Sequence, residues 1–204
     1  MALYIAHQQN KLKNLKTLLD NDIKGIEIDL RSNRNKIIIS HDPFLNGLDF
    51  FKSVKKLKNF FVIFDIKSTG FSEKVLKALN KEKINFLFLN LIASEQIYLI
   101  EKNHSKNLFL RYSSIEKPNL TTKNFKKIKW IWFDFFNEKF ITIKEYNYIK
   151  EHNKKICLTS PDLIDGSAFK TLNYIKYLNK NKIKIDMICA KLHNINLWKK
   201  FYKF

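Results

Sequence analysis

Only four glycines occur in 204 residues. A glycine-rich phosphate loop after a first strand needs several of them close together, so a dinucleotide fingerprint is absent, which weighs against a doubly wound open sheet, the competing fold. Cysteine is scarcer still: Cys157 and Cys189 each lie within an apolar run. A disulfide scaffold and a cysteine-bound metal are therefore not expected, and both thiols read as buried and reduced. No apolar run approaches the roughly 20 residues of a membrane-spanning helix. The opening residues also lack the basic start and longer apolar stretch of a secretory leader, which predicts a cytoplasmic protein. Acidic residues are few, 19 against 38 Lys and Arg, for a formal net charge of +19. Such a balance attracts polyanions. The lysines are nevertheless spread along the chain without a compact basic block, so nucleic acid is not the expected partner.

What is present is a regular alternation. Apolar runs of strand length fall at 3–6, 25–30, 60–66, 86–90, 107–111, 129–135, 154–159 and 185–190. Helical spacing of apolar residues fills 11–20, 71–82, 93–102, 142–152 and 165–180, with shorter stretches at 48–57 and 121–127. Several strand runs show no alternation, as expected of strands buried on both faces. Residues 36–40 follow the second run closely, as a hairpin partner or an extension of it. Strands alternating with helices predict an α/β chain, a single compact (β/α)8 TIM-type barrel over residues 1–204. The basic and aromatic mixture at 199–204 suits contact with a membrane surface or nucleic acid, and more plainly a terminal amphipathic helix packing on the barrel.

Polar residues fall where the strands end. Alternation puts Glu27 and Asp29 on the same side of their strand. Two carboxylates there repel each other and lose hydration unless a cation or a substrate compensates. His41 ends the run Ile37-Ile38-Ile39, and His7 ends the run Leu3-Tyr4-Ile5-Ala6. Asp65 and Lys67 close the third strand, and Asn90, Arg111, Asp134, Ser160 and Lys191 close later ones. In a barrel, residues so scattered in sequence converge on one mouth. Imidazoles and paired carboxylates at strand ends suit a metal-assisted hydrolase.

These strings also carry a resemblance. Ala6-His7, Gly25-Ile26-Glu27-Ile28-Asp29 and Ser40-His41-Asp42-Pro43 are similar to the opening signature of glycerophosphodiester phosphodiesterases. Ile63-Phe64-Asp65-Ile66-Lys67 resembles the Glu-x-Lys motif on that family's third strand. The resemblance implies a phosphoric diester hydrolase acting on a small-molecule phosphodiester. It implies a divalent cation, Mg or Ca, bound by Glu27, Asp29 and Asp65, with Asp65 standing where the family usually has Glu. It further implies His7 and His41 as general acid and base, and Lys67 as an offset for phosphoryl charge. Arg111 and Lys191 are the candidate substrate-binding cations.

Three features depart from the family pattern. Its His-Arg-Gly string reads His7-Gln8-Gln9, so a phosphate-binding Arg is missing. Asp65 is one methylene shorter than Glu. The interval from His7 to Glu27 is short and lacks the customary Glu-Asn pair, for which Asn10 is a partial replacement; Arg111 is a candidate for the missing charge. A catalytically degenerate barrel that binds a phosphorylated ligand or a protein partner is the alternative reading. Plainer roles also fit individual residues. Glu27 and Asp29 suit a solvated face or an ion pair, Lys67 a salt bridge to Asp65 or Glu27, and His41 a turn cap. Arg111 either contacts phosphate or pairs with Glu116. Asp134, set among aromatic residues, either faces the barrel mouth or is neutralised by an internal cation. The leaving alcohol (glycerol, a lipid headgroup or a glycan) and the oligomeric state are not legible.

Overall fold

A computed structural model describes residues 2–136 and 139–204. Numbered along the chain, its strands are β1 (Leu3–Ala6), β2 (Gly25–Asn33), β3 (Lys36–Ile39), β4 (Leu48–Asp49), β5 (Phe61–Ile66), β6 (Asn85–Leu89), β7 (Phe109–Tyr112), β8 (Trp130–Phe133), β9 (Lys155–Thr159) and β10 (Met187–Ala190). The α-helices are α1 (Leu15–Asp20), α2 (Phe50–Ser53), α3 (Ser72–Lys81), α4 (Ala93–Glu101), α5 (Lys123–Lys127), α6 (Ile143–Glu151), α7 (Asp162–Asp165), α8 (Ala168–Lys180) and α9 (Ile195–Phe201). All eight expected strands are present. Contacts group the chain into two compact units: residues 8–108, and β1 together with residues 109–204.

In the first unit β2 is the central strand. It pairs parallel with β5, and β5 pairs parallel with β6. On its other side β3 and then β4 add antiparallel, so residues 36–40 belong to a hairpin. Alternation along β2 buries Ile26, Ile28 and Leu30 on one face and leaves Glu27, Asp29 and Arg31 on the other. Register carries both faces across to β5, where Ile28 lies beside Phe64 and Asp29 beside Asp65. Phe64 meets Phe50 of α2 at 5.9 Å and Phe86 and Phe88 of β6 at 6.2 Å, an aromatic layer under the acidic face. Phe64→Ala would cost roughly 3–5 kcal/mol, the usual range for emptying such a site. Val75, Leu76 and Leu79 of α3 are buried, as their spacing requires.

The helix expected over 11–20 starts only at Leu15. Residues before it form a loop in which Gln8 and Leu12 take left-handed backbone, φ 56° and 49°. The Asn10 side chain bonds to β2, and this competes with helix formation.

The second unit is a parallel sheet in the order β1, β10, β9, β8, β7. All four residues of β10 are buried, in keeping with a run that does not alternate. Cys157 and Cys189 are buried thiols on β9 and β10. The expected helix over 165–180 is two helices. Gly166 ends α7 in the left-handed region at φ 74°, and Ser167 caps α8 by accepting the Lys170 N–H at 3.1 Å. Lys154 is buried, and its ammonium donates to the carbonyls of Phe125, Lys126 and Ile128 at 2.8, 3.1 and 2.6 Å, holding the end of α5. The terminal helix lies earlier than expected, over Ile195–Phe201. It packs on α8 through buried Ile195 and Trp198, and Tyr202 stops it by donating to the Ile183 carbonyl at 2.9 Å. Among the described residues, no helix is long and apolar enough to cross a membrane.

Candidate active site

Strand β2 presents two carboxylates on one face, and the parallel register sets a third beside them. One oxygen from each of Glu27, Asp29 and Asp65 lies within 4.8 Å of the others. Glu27 and Asp29 are each 2% exposed and Asp65 is 9% exposed. The loop before α1 wraps this face. The Gln8 N–H donates to Glu27 Oε2 at 2.7 Å, and the Gln9 N–H donates to the Glu27 carbonyl at 2.8 Å. Asn10 Nδ2 donates to Asp29 Oδ2 at 2.7 Å while its Oδ1 accepts the Asp29 N–H at 2.9 Å. One amide side chain thus acts as a neighbouring peptide would, and it also fixes the carboxylate.

A single ammonium sits on the acidic group. Lys67 Nζ is 2.6 Å from Asp65 Oδ2 and 3.2 Å from Asp29 Oδ1, so it bridges those two acids. Asn90, the residue after β6, donates from Nδ2 to Asp65 Oδ1 at 2.7 Å. Burial first, then Asp29 and Asp65, push the Glu27 carboxyl well above its usual 4.5; the Gln8 N–H and Lys67 pull the other way. Burial opposes the Lys67 charge, but Asp65 and then Asp29 outweigh it and hold the ammonium above its usual 10.5.

The donor set suits a divalent cation. With all three carboxylates ionised, one ammonium would leave two negative charges in excess. The Glu27 pKa, raised by burial first and then by its acidic neighbours, is the mark of that excess with no cation to offset it. A carboxylate oxygen accepts more than one bond, so the bonds from Gln8, Asn10, Lys67 and Asn90 do not exhaust the three groups. Hard oxygen ligands match Mg²⁺ or Ca²⁺. These residues fit the ion the sequence resemblance implies.

The imidazoles lie at the ends of their strands. Ser40, just before His41, donates its N–H to the Asp29 carbonyl at 3.1 Å, tying the β3 end to β2. The His41 ring is exposed, with Nδ1 2.7 Å from Asp42 Oδ1, and lines a cavity of about 740 Å³ with Gln8, Asn10, Lys13 and Leu48. His7 donates its N–H to the Ala190 carbonyl at 2.9 Å, in the second unit, and is followed directly by Gln8, whose N–H holds Glu27. Arg31 is a residue the motif reading missed. It shares the face of Glu27 and Asp29, its Nη2 donates to the His41 carbonyl at 2.8 Å, and its buried Nε has no hydrogen-bond partner among the described residues. The signal was available in the alternation that singled out Glu27 and Asp29, carried two residues further. Asn90 was visible only as one more polar strand end.

Arg111 and Lys191 lie in the second unit. The Arg111 Nε donates to Asp134, and Trp132 Nε1 donates to the other Asp134 oxygen at 2.8 Å. Of the roles open to these residues, Arg111 therefore pairs with Asp134 rather than Glu116, and Asp134 has an internal cation. The Lys191 N–H donates to buried Asp162 at 2.8 Å, and its side chain is half-buried.

No protein-family model and no curated protein matches the chain. Solved structures do match. A glycerophosphodiester phosphodiesterase from Agrobacterium tumefaciens is similar with a TM-score of 0.69 at 10% identity, over 96% of this chain and 97% of that one. A glycerophosphoryl diester phosphodiesterase from Parabacteroides distasonis is similar with a TM-score of 0.71 at 10% identity, over 100% and 88%. An Oleispira antarctica phosphodiesterase in complex with the product sn-glycerol-3-phosphate is similar with a TM-score of 0.64 at 12% identity, over 93% of each chain. The likeness shows the fold: this chain has the α/β, (β/α)8 TIM-type barrel fold of glycerophosphodiester phosphodiesterases. The motif resemblance read from the sequence thus has a structural counterpart along the chain.

Proposed function

We propose that this chain hydrolyses a small-molecule phosphodiester with the help of a divalent cation, Mg or Ca. One observation carries the reading: the oxygens of Glu27, Asp29 and Asp65 gather within 4.8 Å, with Lys67 at their edge. Those three carboxylates would hold the ion, and Asn10 and Asn90 fix the orientation of two of them. When bound, the ion supplies positive charge to the phosphoryl oxygens. Lys67 has three N–H donors; two engage Asp65 and Asp29, and the third serves a phosphoryl oxygen. Arg31, on the same face, stands in for the Arg that Gln8 replaces.

His41 and His7 supply the proton transfers in this reading. With its Nδ1 proton given to Asp42, His41 presents Nε2 for chemistry. One imidazole takes the proton of the attacking water or substrate hydroxyl as its oxygen bonds to phosphorus. The other gives a proton to the alcohol oxygen as the P–O bond to it breaks. A phosphate ester and an alcohol result. The reading places the protein in the cytoplasm, in keeping with its buried thiols.

Hydrolysis of glycerophosphocholine with and without Mg²⁺ or Ca²⁺ tests it. Glu27→Gln and His41→Ala should each lose at least about 100-fold, the usual scale for an acid–base group. Equal rates in parent and variants overturn the assignment. Gln8 in place of the family's Arg favours one second reading, a degenerate barrel; metal-dependent binding of glycerol 3-phosphate without turnover would select it.

A further inference from the structure

We propose that the loop joining β3 to β4 docks the protein on an anionic lipid bilayer. The two strands pair through Ile39 and Leu48, so residues 40–47 leave the sheet and return to it. Phe44 is fully exposed near the tip, and Leu45, Leu48 and Phe51 are 54%, 39% and 47% exposed. Phe44 also takes left-handed backbone at φ 66°, a conformation that bulky residues avoid. Exposure and backbone are both unfavourable in water, and packing within the chain compensates neither. The loop's return is narrow: a Cβ on Gly47 would lie 2.4 Å from the Ile39 carbonyl oxygen. Projecting apolar tips of this kind suit insertion among acyl chains.

Charge selects the partner. Exposed Lys52, Lys55, Lys56 and Lys58 follow the loop, and Lys11 and Lys13 line the same cavity as Leu45 and Leu48. The acids of this segment are engaged: Asp42 with His41, and Asp49 as acceptor of the Lys52 N–H. A basic rim around apolar tips complements anionic headgroups. A second copy of a chain with net charge +19 would bring like charges together and be repelled. Docking would also bring His41 to the lipid surface; its use in catalysis there rests on the phosphodiesterase reading, whereas the docking does not.

Co-sedimentation with phosphatidylglycerol and phosphatidylcholine vesicles at physiological salt tests the proposal. The parent should sediment with phosphatidylglycerol and not with phosphatidylcholine. Phe44→Ser with Leu45→Ser should weaken binding by about tenfold or more. Lys55→Glu with Lys56→Glu should weaken it by about fivefold per lysine. All four positions are exposed, so an unchanged Tm is expected for both variants. Failure of the parent to sediment with phosphatidylglycerol overturns the proposal, as does equal binding by parent and Phe44→Ser/Leu45→Ser. A lipid-free dimer abolished by that same pair of substitutions would assign the tips to a second copy and overturn it too. Glu27→Gln should bind vesicles as the parent does, which separates loss of docking from loss of hydrolysis.

Discussion

Both units of this chain end their strands in ionisable side chains, yet they balance charge differently. In the second unit Asp134 has Arg111 and Trp132, and Asp186 has Lys150 at 2.7 Å and the Ile156 N–H at 2.9 Å. In the first unit three buried acids share one ammonium. Two lysines, one buried and one half-buried, repeat the contrast. Lys154 is ringed by carbonyl oxygens alone, and burial pulls its pKa down; Lys67 faces two carboxylates, and its pKa is up. A balanced pair serves the fold, whereas buried like charges oppose it. An uncompensated excess of one sign, more than polarity at strand ends, distinguishes a site from its scaffold.

The largest expected effect comes from breaking the balanced side. Arg111→Met removes the cation paired with buried Asp134 and should lower stability by about 3–5 kcal/mol in urea unfolding. Its response to Mg²⁺ or Ca²⁺ should persist. The unbalanced side should behave oppositely. In the parent, either ion at a hundred times its Kd should add about 3 kcal/mol of stability. Glu27→Gln should abolish that gain, and its chelator-treated Tm should rise above the parent's because a neutral amide relieves Asp29 and Asp65. Calorimetry with and without chelator reads both. Lys154→Met strips three carbonyls of their donor and should cost about 2 kcal/mol, with no change in metal response.

The smallest effect is a pH dependence in the second unit. Burial works against the Glu145 charge, but the Thr142 N–H and hydroxyl and the Lys139 ammonium prevail and hold its pKa below the usual 4.5. A carboxylate depressed in this way stabilises the fold fully above its unfolded pKa, and that stability is lost as pH falls through the folded value. Glu145→Gln should flatten the acid limb of a Tm-against-pH profile below about pH 4.5, by on the order of 1 kcal/mol.

The acidic face was legible because alternation is a local rule: Glu27 and Asp29 must point the same way on any strand. The partnership with Asp65 was legible only through the family motif, since β2 and β5 pair across the hairpin strands and the helix that separate them in sequence. Lys67 was tied to the site by sharing a face with Asp65, but its second partner, Asp29, needed that register. An internal cation was one of two readings open for Asp134, and its identity was missed, because Arg111 and Asp134 meet through the parallel pairing of β7 and β8. The helix start at Leu15 was hidden for a related reason. Apolar spacing over 11–20 is helical, but the Asn10 side chain beside it bonds to Asp29, far along the sequence, and holds the loop. Hydrophobic period reads elements well and reads side-chain competition for them poorly.

Lys67 has a consequence for how the protein reaches its working form. A tethered positive charge already lies against two of the three acids, so the acidic face can close during folding before any ion arrives. Domains whose ligands have no such internal stand-in remain unfolded until metal is supplied. On the proposed metal-binding reading, this chain should instead mature in metal-poor surroundings, persist in an unloaded state, and take up or lose an ion without unfolding.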